Sequence, residues 1–287
     1  MSSIQLYHQT SFACSKNTTQ FYSTSFSLGI KVLDKKYQNA IYGIYGMVRV
    51  ADEIVDTFHI YDKKSLLEKF KQDTYDAIKS NISTNPILQS FQIIVNQYKI
   101  PTELIDAFFE SMEMDLYDIN YDTQLYQKYI YGSAEVVGLM CLKVFCNNDE
   151  ELYNKLKEPA KALGAAFQKV NFLRDFKEDM NSLGRLYFPN IDFKNISNID
   201  KQLIEKDIEK DFNAALLGII ELPDGAKSGV MLAYQYYVSL FRKIKSTPIL
   251  KLQEKRISVP NFYKVLLLAK ILVRKKTNLK PYIIERA

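Results

Sequence analysis

Apolar residues recur along the chain at spacings of three and four, and no block alternates strictly between apolar and polar positions. That period is one face of an α-helix, not the two-residue repeat of a strand. The pattern predicts helices over roughly 19–29, 35–57, 63–79, 87–99, 102–118, 122–146, 149–180, 201–219, 225–245 and 259–274. The ten glycines and eight prolines fall mostly between these segments, with Pro101 placed to open one helix and Pro189 to follow another. No fixed-period repeat, low-complexity tract or linker divides the 287 residues. The longest irregular stretch, 181–200, follows an acidic helical segment and reads as a loop beside a site, not a domain boundary. The expectation is one all-α domain.

Composition narrows the function classes. Hydrophobic residues make up 47% and charged residues 25%, the balance of a globular protein with ample length for a core. A net charge of +5, from 38 basic and 33 acidic side chains interspersed, lacks the dense basic face of a nucleic-acid binder. Cys14, Cys141 and Cys146 form no CxxC pair and read as reduced core thiols of a cytoplasmic protein. With only His8 and His59 available, a metal site must be built from oxygen, which favours magnesium, manganese or calcium. The N-terminus lacks the pattern of a signal peptide, and "VLLLAKILV", broken by Lys270, is too short to span a membrane.

The candidate chemistry lies in two acidic stretches, "RVADEIVD" at 49–56 and "NFLRDFKEDM" at 171–180. Asp52 and Asp56 stand four apart, as do Asp175 and Asp179, and Asn171 precedes Asp175 by four, so each set shares one helix face. Like charges at that spacing destabilise a helix by a few tenths of a kcal/mol, and a divalent cation between them reverses the sign. Magnesium takes one or two carboxylates and completes its shell with water and substrate phosphate oxygens. Two facing acidic helices would therefore grip a diphosphate. Arg49 and Arg174 accompany the acidic pairs, and Arg185 lies just downstream as a further phosphate ligand. A solvated acidic face is the alternative, which the apolar flanks "YGIYGMV" and "GAAFQKV" disfavour.

These motifs stand in an order that resembles the squalene and phytoene synthase family of head-to-head prenyl transferases over nearly the whole chain. The similar segments are "FYSTSFSLGIKVL", "AIYGIYGMVRVADEIVD", "YIYGSAEVVGLM" and "LGAAFQKVNFLRDFKEDMNSLGRLYFP". The resemblance implies an all-α prenyl synthase fold around a central cavity. By position it implies that Asp52, Asp56, Asn171, Asp175 and Asp179 hold magnesium. Ser23, Ser25, Tyr45, Arg49, Gln168 and Arg174 would surround the diphosphates, with Tyr237 near the reacting centre. Phe26, Ala134 and Gly138 would line the prenyl cavity. Two residues depart from the family pattern. Thr24 stands where many members carry lysine or arginine, and Glu135-Val136 replaces a common Gly-Thr pair.

The implied reaction joins two geranylgeranyl diphosphates to phytoene through a cyclopropyl diphosphate. The chain has no GxGxxG fingerprint and no βαβ setting, so NADPH is not expected. The alternatives are a dehydrosqualene or squalene synthase using farnesyl diphosphate, and a catalytically silent assembly factor with the same fold. Greasy substrates and products imply loose contact with a membrane surface. Nothing in the sequence specifies an oligomeric state.

Overall fold

The computed structural model describes residues 2–117, 121–178, 187–189, 191, 196–252, 256–260, 262 and 266–271. Among them every regular element is helical: α1 (Ser3–Tyr22), α2 (Thr24–Val32), α3 (Lys35–Asp56), α4 (Lys63–Ser80), α5 (Pro86–Tyr98), α6 (Thr102–Met114), α7 (Thr123–Ile130), α8 (Val136–Cys146), α9 (Glu150–Glu178), α10 (Asn198–Ile219), α11 (Asp224–Lys245) and α12 (Ile249–Leu252). A π-turn, Tyr131–Glu135, joins α7 to α8 without a break. The all-α expectation holds.

The N-terminal helix differs from the expected pattern. Positions 19–29 do not form one helix: Ser23, at φ −144°, ends α1 and caps α2 by accepting from the Phe26 amide at 3.2 Å. The rest of α1 escapes apolar periodicity because its core-facing stripe is Ser11, Ser15 and Thr19. Their hydroxyls stay satisfied while buried: Ser11 donates to the Tyr7 carbonyl at 2.9 Å, Thr19 to the Ser15 carbonyl at 2.8 Å, and Ser15 meets Ser90 at 2.7 Å. Small polar side chains let α1 lie close on α3, where a Cβ on Gly46 would stand 2.6 Å from Ser15 Oγ. Helix 102–118 also ends earlier than expected, at Met114, and the stretch 181–200 lies mostly outside the described residues.

The longest helix, α9, packs along α10 on one side and along the π-turn and α8 on the other. The run Thr123–Cys146 is long and apolar enough to cross a membrane, which the sequence expectation did not foresee. Most of it is buried in the bundle interior, and that burial accounts for its apolar character. Close contacts fix the register of the antiparallel α8 and α9. A Cβ on Gly164 would lie 2.6 Å from the Ala134 carbonyl oxygen, and one on Gly138 would lie 2.9 Å from that of Ala160. The three cysteines are unpaired.

At the π-turn, Gly132 presses on the Ala107 backbone carbonyl and on Ser111, with no room for a methyl group. Gly132→Ala is expected to destabilise the fold by ~1–3 kcal/mol. Chemical denaturation should show a lower midpoint at unchanged slope; an unchanged midpoint would contradict this packing.

Candidate active site

A cavity of about 340 Å³ runs down the middle of the bundle. Its upper wall carries Tyr45, Arg49 and Asp52 from α3, Gln168 and Asn171 from α9, and Tyr237 from α11. Phe26 of α2, Ala134 of the π-turn and Gly138 of α8 also line it. Below this level the wall is apolar, with Ile30, Leu33, Met112, Phe145, Leu156 and Leu222. Polar groups therefore cluster at one end of a greasy shaft.

At that end each acidic helix balances its charge with arginine. Arg49 donates to Asp52 at 2.5 Å and also pairs with Glu53, while its guanidinium lies 4.4 Å from the Tyr22 ring centroid. On α9, Arg174 makes a forked contact to Asp175, Nε to Oδ1 at 3.0 Å and Nη2 to Oδ2 at 2.5 Å. Arg256 reaches the same carboxylate at 2.6 Å. Burial alone would lower the pKa of Arg174, but its bonds to Asp175 override this and raise it, so the guanidinium stays charged.

The two helices meet through aromatic side chains. Tyr237 donates to Asn171 Oδ1 at 3.1 Å and stacks on Phe167 at 3.9 Å between centroids. Phe26 sits between Tyr45 at 5.7 Å and both Phe167 and Tyr237 at 6.3 Å. Burial pushes the Tyr45 hydroxyl up to about 12, against the opposing pull of Arg49 and a hydrogen bond with Ser23. Burial likewise raises Tyr237. Both phenols keep their protons at neutral pH. Gln168 donates to Ser133 at 3.2 Å, tying α9 to the π-turn at this level.

Of the residues expected at the site, Asp52 and Asn171 thus share one cavity. Asp175 and Arg174 stand beside that wall without lining it, and so do Asp56, Ser23 and Ser25. Asp179 and Arg185 lie outside the described residues. No three Asp, Glu, His or Cys side chains among the described residues converge closely enough to hold an ion by themselves. The oxygen donors come instead as i,i+4 pairs, Asp52 with Asp56 and Asn171 with Asp175. That set fits magnesium, which takes one or two carboxylates per ion and the remainder of its shell from substrate and water.

Both departures from the family pattern lie away from the cavity. Thr24 is exposed on the first turn of α2. Glu135 is absent from the wall and faces Lys161 at 3.9 Å; burial raises its pKa, with Lys161 pulling the other way. Sequence reasoning passed over Phe167, Tyr129 and Arg256. The first was within reach, since Phe167 precedes Asn171 by four and so shares its face. Tyr129 lines the cavity and donates to the buried Asp115 at 2.8 Å. Arg256 sits in a non-helical stretch some eighty residues from its partner Asp175, with no motif to mark it.

The family model for squalene/phytoene synthase matches residues 19–263. The chain belongs to this family. Its members are prenyltransferases that condense prenyl diphosphates head to head. Among relatives, a 4,4'-diapophytoene synthase of Staphylococcus haemolyticus is 28% identical over 174 residues, 58% of this chain and 58% of the relative. A presqualene diphosphate synthase of Sinorhizobium fredii is 30% identical over 188 residues, 64% of this chain and 65% of the relative. A phytoene synthase of Rhodobacter capsulatus is 26% identical over 240 residues, 76% and 68% respectively. The first two matches thus span less than two thirds of those relatives' length. In fold, the chain is similar to a dehydrosqualene synthase solved with a ligand, with a TM-score of 0.78 at 20% identity, covering 96% of this chain and 100% of that one. A squalene synthase from Alicyclobacillus acidocaldarius gives 0.72 at 18% identity over 88% and 97%.

The two acidic groups differ in what their removal should cost the fold. The Arg49–Asp52 pair is about one third exposed, with side-chain accessibilities of 27% and 33%. Asp52→Asn is therefore expected to change stability by no more than ~1 kcal/mol. Arg174 and Asp175 are less exposed, at 20% and 18%. Asp175→Asn strips charge from a fork that satisfies Arg174 and should cost ~1–3 kcal/mol. Equal losses in urea denaturation of the two variants would contradict this geometry.

Proposed function

We propose that the chain condenses two geranylgeranyl diphosphates head to head into phytoene, through a cyclopropylcarbinyl diphosphate and with release of diphosphate, without NADPH. The observation that carries the reading is the depth of the shaft. Leu156 and Asn171 line the same cavity on α9, and fifteen residues of helix span ~22 Å. Extended chain covers ~1.1–1.2 Å per bond, judged from the peptide backbone, so a C20 tail of fifteen main-chain bonds needs ~17 Å and a C15 tail ~13 Å. That depth supports the longer tail, since a farnesyl chain would leave more of the lower shaft empty. Relatives named phytoene synthase support the same reading. The farnesyl alternative has the diapophytoene synthase relative in its favour.

The division of labour follows from the wall. Arg49 and Arg174 offer guanidinium donors to the departing diphosphate, whose growing charge they stabilise. Asp52, Asp56, Asn171 and Asp175 would hold magnesium, or manganese, which neutralises charge on the phosphate oxygens when bound. Phe26, Tyr45, Phe167 and Tyr237 present ring faces to an allylic cation, each contributing ~0.5–2 kcal/mol. The protonated phenols of Tyr45 and Tyr237 supply neutral dipoles without becoming competing nucleophiles. The apolar shaft keeps water from the cation, so that it ends by bond formation and proton loss instead of hydrolysis. The retained acidic pairs have no evident use in a silent assembly factor. Loose membrane contact fits Phe21, exposed at 88%, beside Tyr22 on Arg49 at the polar end of the shaft.

Purified protein with magnesium should convert geranylgeranyl diphosphate to phytoene with no NADPH, and Asp52→Asn should cut turnover at least ~100-fold. Squalene as the sole product, formed only with NADPH, would overturn the assignment. Near-normal turnover in Asp52→Asn would overturn the role of the carboxylate.

A further inference from the structure

We propose that Phe145 is the residue that sets prenyl chain length in this protein, an inference that rests on the prenyl diphosphate reading above. Among the cavity-lining residues of α8 and the preceding π-turn, Ser133, Val137, Cys141 and Phe145 form one descending stripe at four-residue spacing, with Ala134, Gly138 and Leu142 beside it. Its top is level with the polar end, because Ser133 takes a hydrogen bond from Gln168 at 3.2 Å. Counting helical rise from Ser133, Cys141 lies ~12 Å down and Phe145 ~18 Å down. The first depth falls just short of an extended C15 tail and the second matches a C20 tail, at ~13 and ~17 Å.

The stripe also changes character at its end. The register of α8 on α9 is set by glycine contacts at Gly138 and Gly164, so the α8 side of the shaft above Phe145 carries little side-chain bulk. Phe145 is the first ring on this stripe, and it is 7% exposed. It is braced from beneath: the Tyr37 ring meets it edge-on at 5.5 Å and 87°, and the Tyr37 hydroxyl donates to the Phe145 carbonyl at 3.4 Å. Tyr37 belongs to α3 and lies one turn beyond Ile41, the deepest α3 residue on the cavity wall. A packed ring on a packed ring makes a floor that cannot yield by rotamer change, as interiors at crystal-like density store no slack. Cys141, facing the shaft with a small side chain, leaves passage at the C15 level.

The test compares chain-length profiles of the wild type, Phe145→Ala, Phe145→Leu and Cys141→Phe. Each is given C15, C20 and C25 prenyl diphosphates for turnover, and the corresponding non-ionising thiolodiphosphates for calorimetric binding. The Phe145 variants should gain C25 relative to C20 by about tenfold or more, Leu less than Ala, and Cys141→Phe should lose C20 by a similar factor while keeping C15. A Leu variant of nearly native bulk keeps the test valid should Ala impair folding. Superimposable wild-type and variant profiles would overturn the ruler. A wild type that binds the analogues in this length order yet turns over no prenyl diphosphate would overturn the reaction and leave the ruler supported.

Discussion

The close antiparallel packing of α8 and the π-turn against α9 is the constraint on which the rest depends. Two glycines, Gly138 and Gly164, let each backbone approach the other's carbonyl groups to distances that a methyl group would not tolerate. That approach sets Gln168 against Ser133 at one end of the shaft and brings Leu156 and Phe145 to the other. A slip of one turn, ~5.4 Å, would carry the polar residues of α9 down among apolar side chains. There they would lose water without gaining partners.

The second constraint is electrostatic. Carboxylates at i,i+4 spacing repel, and the fold tolerates them by placing a guanidinium within reach of each set: Arg49 for Asp52, Arg174 and Arg256 for Asp175. The same groups suit an incoming anion and its counter-cations, because arginine forks match phosphate as well as carboxylate. On the proposed reading, these internal ion pairs would give way to the substrate diphosphate and its counter-cations.

Much of this was legible in the sequence because helical period and acidic spacing are local properties. The DxxxD spacing alone places Asp52 with Asp56, and NxxxD places Asn171 with Asp175. What escaped is instructive for physical reasons. α1 hides because its buried stripe is serine and threonine, whose burial depends on hydrogen bonds to its own carbonyls and to Ser90 on a distant helix. The π-turn has no sequence signature, and Arg256 reaches Asp175 only by tertiary folding. Glu135 departs from the family pattern beside the cavity-lining Ala134. The structure turns its side chain toward Lys161, where it leaves the shaft untouched.

The central proposal is that the two arginine-balanced carboxylate sets hold one diphosphate end while the tail descends the shaft that α2, α3, α8, α9, α10 and α11 enclose. A crystal structure with magnesium and a geranylgeranyl thiolodiphosphate tests it most directly. The account predicts metal-bridged phosphate oxygens between the Asp52 and Asp175 sides, with the last tail carbons against the Phe145 ring. A diphosphate bound elsewhere, or a tail lying outside the shaft, would contradict it.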